Sequence, residues 1–108
     1  MYQVNQTAIR YEGGIHPKHR LMDYHRFFIE RLNKNDRVLD IGCGYGAVAF
    51  SMAKAGALVT GVDMDGANIQ QARERYQHKN LKFLLGDVRK DLPEGNFNVI
   101  VMSNVLEH

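Results

Sequence analysis

The chain has 108 residues, 44% of them hydrophobic and 24% charged, enough apolar mass for one core and too little length for two domains. Its 14 Lys and Arg stand among 12 acids without a dense basic run, so the formal charge of +2 gives no argument for nucleic acid. No apolar run approaches the roughly 18 residues of a membrane span, MYQVNQTAIRYEGG lacks the apolar middle of a signal peptide, and a single cysteine makes no internal disulfide, so the expected location is the cytoplasm.

After a polar lead, HPKHRLMDYHRFFIERL sets Leu21, Tyr24, Phe28 and Leu32 on one face, with Pro17 suited to a first turn, and predicts an amphipathic helix. RVLDI (37–41) predicts a short apolar strand, GAVAFSMAKAG (46–56) a helix closed by Gly56, and ALVTGVD (57–63) a second strand. In DGANIQQARERYQ, Asp65 is placed as an N-cap, with Ile69, Ala72 and Tyr76 on one helix face. LKFLLG (81–86) and FNVIVMS (97–103) predict two more strands, the second a near-continuous apolar run of the kind buried on both faces. Strands alternating with helices imply right-handed βαβ units and an open α/β parallel sheet with helices on both faces.

Ligands of such sheets sit beyond the carboxyl ends of the strands. Here those ends are 40–46, 63–65, 86–88 and 103–108, each polar or glycine-bearing. Gly42, Gly44 and Gly46 allow a tight strand-to-helix turn and close approach of a ligand to main-chain N–H groups. Taken alone, Gly42, Gly44 and Ala47 also satisfy G-x-G-x-x-A, so a nicotinamide dinucleotide (NAD(P)) reading stays open. Asp63, 21 residues after Gly42, is positioned for two ribose hydroxyls, which suits either ligand. Asp40, two residues before the first glycine, favours a cation or zwitterion and would repel a pyrophosphate. Asp87 offers an acceptor for an exocyclic amine. An adenosine with a positively charged, amino-acid-like tail fits both acids.

VLDIGCGYG, GVDMD, GDV and FNVIVMSNVLEH, in that order and spacing, resemble the successive motifs of class I S-adenosylmethionine-dependent methyltransferases over residues 36–108. The resemblance implies a Rossmann-like sheet of order 3-2-1-4 for the four predicted strands. It also implies one domain over 1–108, with residues 1–35 as lead and cap helix and the core at 36–108. Asp40, Gly42, Cys43, Gly44 and Gly46 would surround the methionyl moiety of the cofactor. Asp63 would bind the ribose hydroxyls and Met64 would lie on the adenine face. Asp87 would receive the adenine amine, Val88 would pack against the ring, and Asn104 would line the sulfonium end. The product would be S-adenosyl-L-homocysteine, formed by in-line displacement onto a small-molecule acceptor, with positioning supplying much of the acceleration.

His108, near neutral in pKa and after the fourth strand, is the candidate base. Some relatives hold a divalent metal with Glu-x-x-Glu-His; in NVLEH, Asn104 replaces the first acid, leaving Glu107 and His108, so no metal is expected there. His16, His19 and His25 lack accompanying carboxylates, and Cys43 is expected to be a small loop residue, not a nucleophile. Complete members carry further strands after the position of His108. With nothing following to pair with 97–103, that edge predicts a homodimer formed by pairing these strands or exchanging the N-terminal helix. A second reading is a binding module without turnover.

Overall fold

The computed structural model describes residues 2–3, 26 and 29–103. Its elements are Tyr2–Gln3 (β1), Arg37–Ile41 (β2), Ala47–Lys54 (α1), Leu58–Asp63 (β3), Gly66–Arg75 (α2), Leu81–Leu85 (β4) and Val99–Val101 (β5). The sheet runs β1-β5-β2-β3-β4, and every neighbouring pair is parallel. For the four strands predicted from sequence this is the 3-2-1-4 order. Arg26 and residues 29–31 are helical, and Leu32 packs half-buried on the core. Leu21, Tyr24 and Phe28, the rest of the predicted N-terminal apolar face, lie outside the described residues.

Register explains where the core sits. Val38 is level with Val59 and Val99, while Asp40 is level with Gly61 and Val101, and Gly61 with Phe83. Because side chains alternate along a strand, these positions share one face. On that face Val38, Val59, Phe83, Val99 and Val101 join Ala49 and Met52 of α1 and Ile69 and Ala72 of α2 in a single buried cluster. Both described helices therefore cover the same side. The crossovers β2–α1–β3 and β3–α2–β4 step in the same direction, and two right-handed connections of one direction leave their helices on one face.

The ends of the elements follow local chemistry. Asp65 caps α2, its Oδ1 accepting from Ala67 N–H at 2.8 Å and Asn68 N–H at 3.4 Å. Gly56, at φ 111°, closes α1 in the left-handed region, as a helix-ending glycine does. β5 is shorter than the predicted 97–103. Before it, the Asn98 side chain intervenes: its Oδ1 accepts from Arg37 N–H at 2.6 Å and its Nδ2 donates to Asp36 Oδ1 at 3.0 Å. The buried Asp36 also accepts from Asn33 N–H at 2.7 Å, which ties the amino ends of β2 and β5 together.

One expectation is corrected. The sequence predicts a β5 whose outer edge lacks a strand partner. A partner comes from before it: Tyr2 pairs with Val99 and Gln3 with Ile100. Two residues carry no periodicity, so local sequence gives no sign of this strand. Among the described residues no helix is long and apolar enough to cross a membrane.

Candidate functional site

The order in which strands join the sheet switches sides at β2, which has β3 on one side and β5 on the other, and a crevice opens there beyond the carboxyl ends. A cavity of about 380 Å³ occupies it. Ile41 and Gly42 come from the end of β2, Val62 and Asp63 from β3 and Met64 from just past it, residues 86–89 from the loop after β4, and Met102 from beyond β5. Apolar walls with a few polar groups are the usual make-up of a small-ligand site. A second cavity, of about 290 Å³, lies at the amino ends of β3 and β4 near Lys79 and Phe97, away from the glycine turn and its acids.

The glycine turn is fastened to β3. Gly42 and Gly44 have φ of 69° and 59°, a region that side chains with a Cβ rarely adopt. Gly42 N–H and Cys43 N–H both donate to the Val62 carbonyl, at 2.7 and 3.0 Å. Gly44 N–H donates to Asp63 Oδ2 at 2.9 Å, and Asp65 N–H to Asp63 Oδ1 at 2.9 Å. Asp63 is thus a buried carboxylate locked by two amides at the cleft wall. A carboxylate offers about four acceptor positions, so two stay available to a ligand.

Gly46 serves packing. A Cβ there would stand 2.6 Å from Phe83 Cζ and 3.1 Å from the Ala72 Cβ, so the missing side chain lets α1 close on β4 and α2. Cys43, 1% exposed, fills the small space beside Gly61, where its Sγ would be 3.0 Å from an added Cβ.

Asp40 is wholly buried, and its carboxylate faces β5. Ser103 Oγ donates to it, 2.7 Å from Oδ1 and 2.8 Å from Oδ2, and Ser103 N–H donates to Oδ1 at 3.2 Å. This charge-assisted tie fixes the two strand ends that bound the crevice. Nothing in the local sequence singles out Ser103. Its signal is the strand order, which sets the residue after β5 beside the acid of β2.

At the far side, Met64 is 61% exposed and Asp87 and Val88 line the same cavity. Arg89, also unmarked in the sequence, forks onto Asp87. Its Nε donates to Oδ1 at 3.0 Å and its Nη2 to Oδ2 at 2.9 Å, while Arg89 N–H reaches Oδ1 at 3.0 Å. These bonds hold the Asp87 carboxyl at about 2, below its ordinary 3.8, and raise the Arg89 guanidinium in turn. Asn104 and His108, like Glu107, His16, His19 and His25, lie outside the described residues.

The family described as "Methyltransferase domain" matches residues 38–108. The chain belongs to this methyltransferase family. A ubiquinone biosynthesis O-methyltransferase of Coxiella burnetii is 33% identical to this methyltransferase domain over 107 residues, covering 89% of the chain and 43% of the relative. The chain therefore spans less than half of the relative's length. A TehB-like SAM-dependent methyltransferase from Corynebacterium glutamicum superposes with a TM-score of 0.61 at 26% identity, over 90% of this chain and 49% of that one. A SAM-dependent methyltransferase from Thiobacillus denitrificans, in complex with S-adenosyl-L-homocysteine, gives 0.63 at 25% identity, over 77% of this chain and 35% of that one. The fold of the methyltransferase domain is thus the class I Rossmann-like one.

Proposed function

We propose that the chain binds S-adenosylmethionine in the cleft beyond β2, β3 and β4 and serves methyl transfer to a small-molecule acceptor in the cytoplasm, with release of S-adenosyl-L-homocysteine. The observation that carries this is Asp63, buried, pinned by Gly44 and Asp65 amides, and presenting its remaining acceptor positions to a cleft walled by Met64, Asp87 and Val88. Adenosine needs those features: a fixed acceptor for ribose hydroxyls, apolar walls for the ring, and an acceptor for the amine. When bound, the cofactor supplies an electrophilic methyl group on a sulfonium that departs as a neutral thioether. Asp63 orients the ribose, Asp87 and Val88 orient the ring, and Asp40, through Ser103, holds the crevice open at the methionyl end. Asn104 belongs to the methionyl end of this proposal, and His108 takes the proton that the acceptor's nucleophile loses.

The dinucleotide alternative has less support. The amides of Gly42, Cys43, Gly44 and Gly46 are all spent within the chain, on Val62, Asp63 and Cys43, so they are not offered to a pyrophosphate. A small-molecule acceptor is supported by the ubiquinone O-methyltransferase name of the Coxiella relative. Self-association through β5 has weaker support with β1 on that edge.

Calorimetry with S-adenosyl-L-homocysteine and with NADH tests the cofactor. The first should bind and raise the melting temperature, by about 2.7 kcal/mol of stability at one hundred times its Kd. Tighter binding of NADH, or no shift at millimolar S-adenosyl-L-homocysteine, refutes the reading. Binding without turnover over a broad acceptor panel would leave a binding module.

A further inference from the structure

Arg89 spans the two groups that would hold an adenine ring. Its Nη2 bonds Asp87 Oδ2 at 2.9 Å and also lies 3.5 Å from Met64 Sδ, so the guanidinium reaches from the loop after β4 back to the end of β3. Two features make this contact detachable. The Arg89 side chain is 76% exposed, against 17% for Asp87, and an ion pair with one partner so open to water contributes little to a fold. The turn beneath is held without it: Lys90 N–H and Asp91 N–H donate to the Asp87 carbonyl at 2.9 and 3.1 Å, and Arg89 N–H to Asp87 Oδ1 at 3.0 Å. Asp87 therefore stays aimed when the guanidinium leaves. While it remains, three donors occupy a carboxylate with about four acceptor positions, and the space between Met64 and Asp87 is bridged.

We propose that Arg89 is a latch on the adenine end of the cleft: its guanidinium closes the gap between Met64 and Asp87 in the free chain and must swing out for the purine to enter. This rests on the adenosine reading of the cleft. The latch is a self-competitor, so its removal strengthens binding, whereas a residue that clamped the ring would weaken it when lost. Breaking an exposed fork of this kind corresponds to a change in affinity of about two- to fivefold.

The test uses the full chain and Arg89→Ala and Arg89→Gln variants. First, NMR titration of the Asp87 carboxyl in the ligand-free proteins should give about 2 in the parent and a rise toward 3.8 in both variants. Second, calorimetry with S-adenosyl-L-homocysteine should show both variants binding about two- to fivefold more tightly, with the gap closing at 1 M salt, where screening is about 3 Å. Equal or weaker binding by the variants overturns the latch while leaving the cofactor site standing. An unshifted Asp87 titration overturns it too, since the pair then does not form in solution. Failure of all three proteins to bind refutes the adenosine reading, and the latch falls with it.

Discussion

Replacing Asp63 with Ala should damage both stability and cofactor binding, and the two losses can be measured apart. The carboxylate accepts from the buried Gly44 N–H and from the part-buried Asp65 N–H, both at 2.9 Å. A hydrogen bond to a charged group contributes about 1.5–3 kcal/mol, and a buried donor left without a partner costs about 1–3 kcal/mol. Asp65 N–H sits near the rim, where water can replace the lost acceptor, so the expected destabilisation is about 2–4 kcal/mol, chiefly from Gly44. For a domain near this size that lowers the melting temperature by about 10 °C or more. Binding of S-adenosyl-L-homocysteine should weaken about tenfold or more, because the acceptors left to the ribose hydroxyls are gone as well. Urea unfolding followed by circular dichroism reads the first loss. Calorimetry at a temperature where the variant is folded reads the second. Asp63→Asn keeps one acceptor but turns an NH2 toward one of the two amides, so it should also destabilise. A variant of unchanged stability would show that Asp63 does not tie the glycine turn to β3, and normal binding would show that it is not the ribose acceptor.

Gly46→Ala should cost about 2–4 kcal/mol in a urea melt, since its Cβ would press Phe83 at 2.6 Å at a residue with φ of 93°, and adding Phe83→Leu should return part of the loss. Asn98→Ala removes the donor to Asp36 and the acceptor for Arg37 N–H, so the urea midpoint should fall by the equivalent of about 1–3 kcal/mol with ligand affinity unchanged. Acid sensitivity follows from the Asp87 carboxyl, which Arg89 lowers to about 2 from 3.8. A folded value below the unfolded one means that the stabilisation, small for a pair so open to water, is present above 3.8 and is lost as pH falls through about 2, so Arg89→Ala should be only slightly less stable than the parent above 3.8 and converge with it at low pH in urea melts.

Much of the frame was legible from local pattern. Arg37–Ile41, Leu58–Asp63 and Leu81–Leu85 fall within a residue of the predicted strands, and Asp65 caps the helix it was expected to cap, because hydrophobic period and cap chemistry act over a few neighbouring residues. The strand-end motifs also pointed to Gly42, Asp63, Met64, Asp87 and Val88, which the parallel sheet brings around one cavity. Ligand sites at strand ends follow from topology, and alternating strands and helices leave few topologies open.

Contacts between residues distant in sequence were decided only in the tertiary structure. Ser103 meets Asp40 across 63 positions because β5 lies beside β2 on the side away from β3. Gly46 is required by a ring from β4, since the close packing of α1 leaves no space for a Cβ. β1, two residues long, draws its place from the open hydrogen-bonding edge of β5, not from any pattern of its own. Arg89 reaches Met64 across 25 positions because the ends of β3 and β4 are adjacent in the sheet. Sequence period sets which residues point the same way along one element, whereas register between elements sets which of those residues meet, and that register is fixed only when the sheet and its core close together.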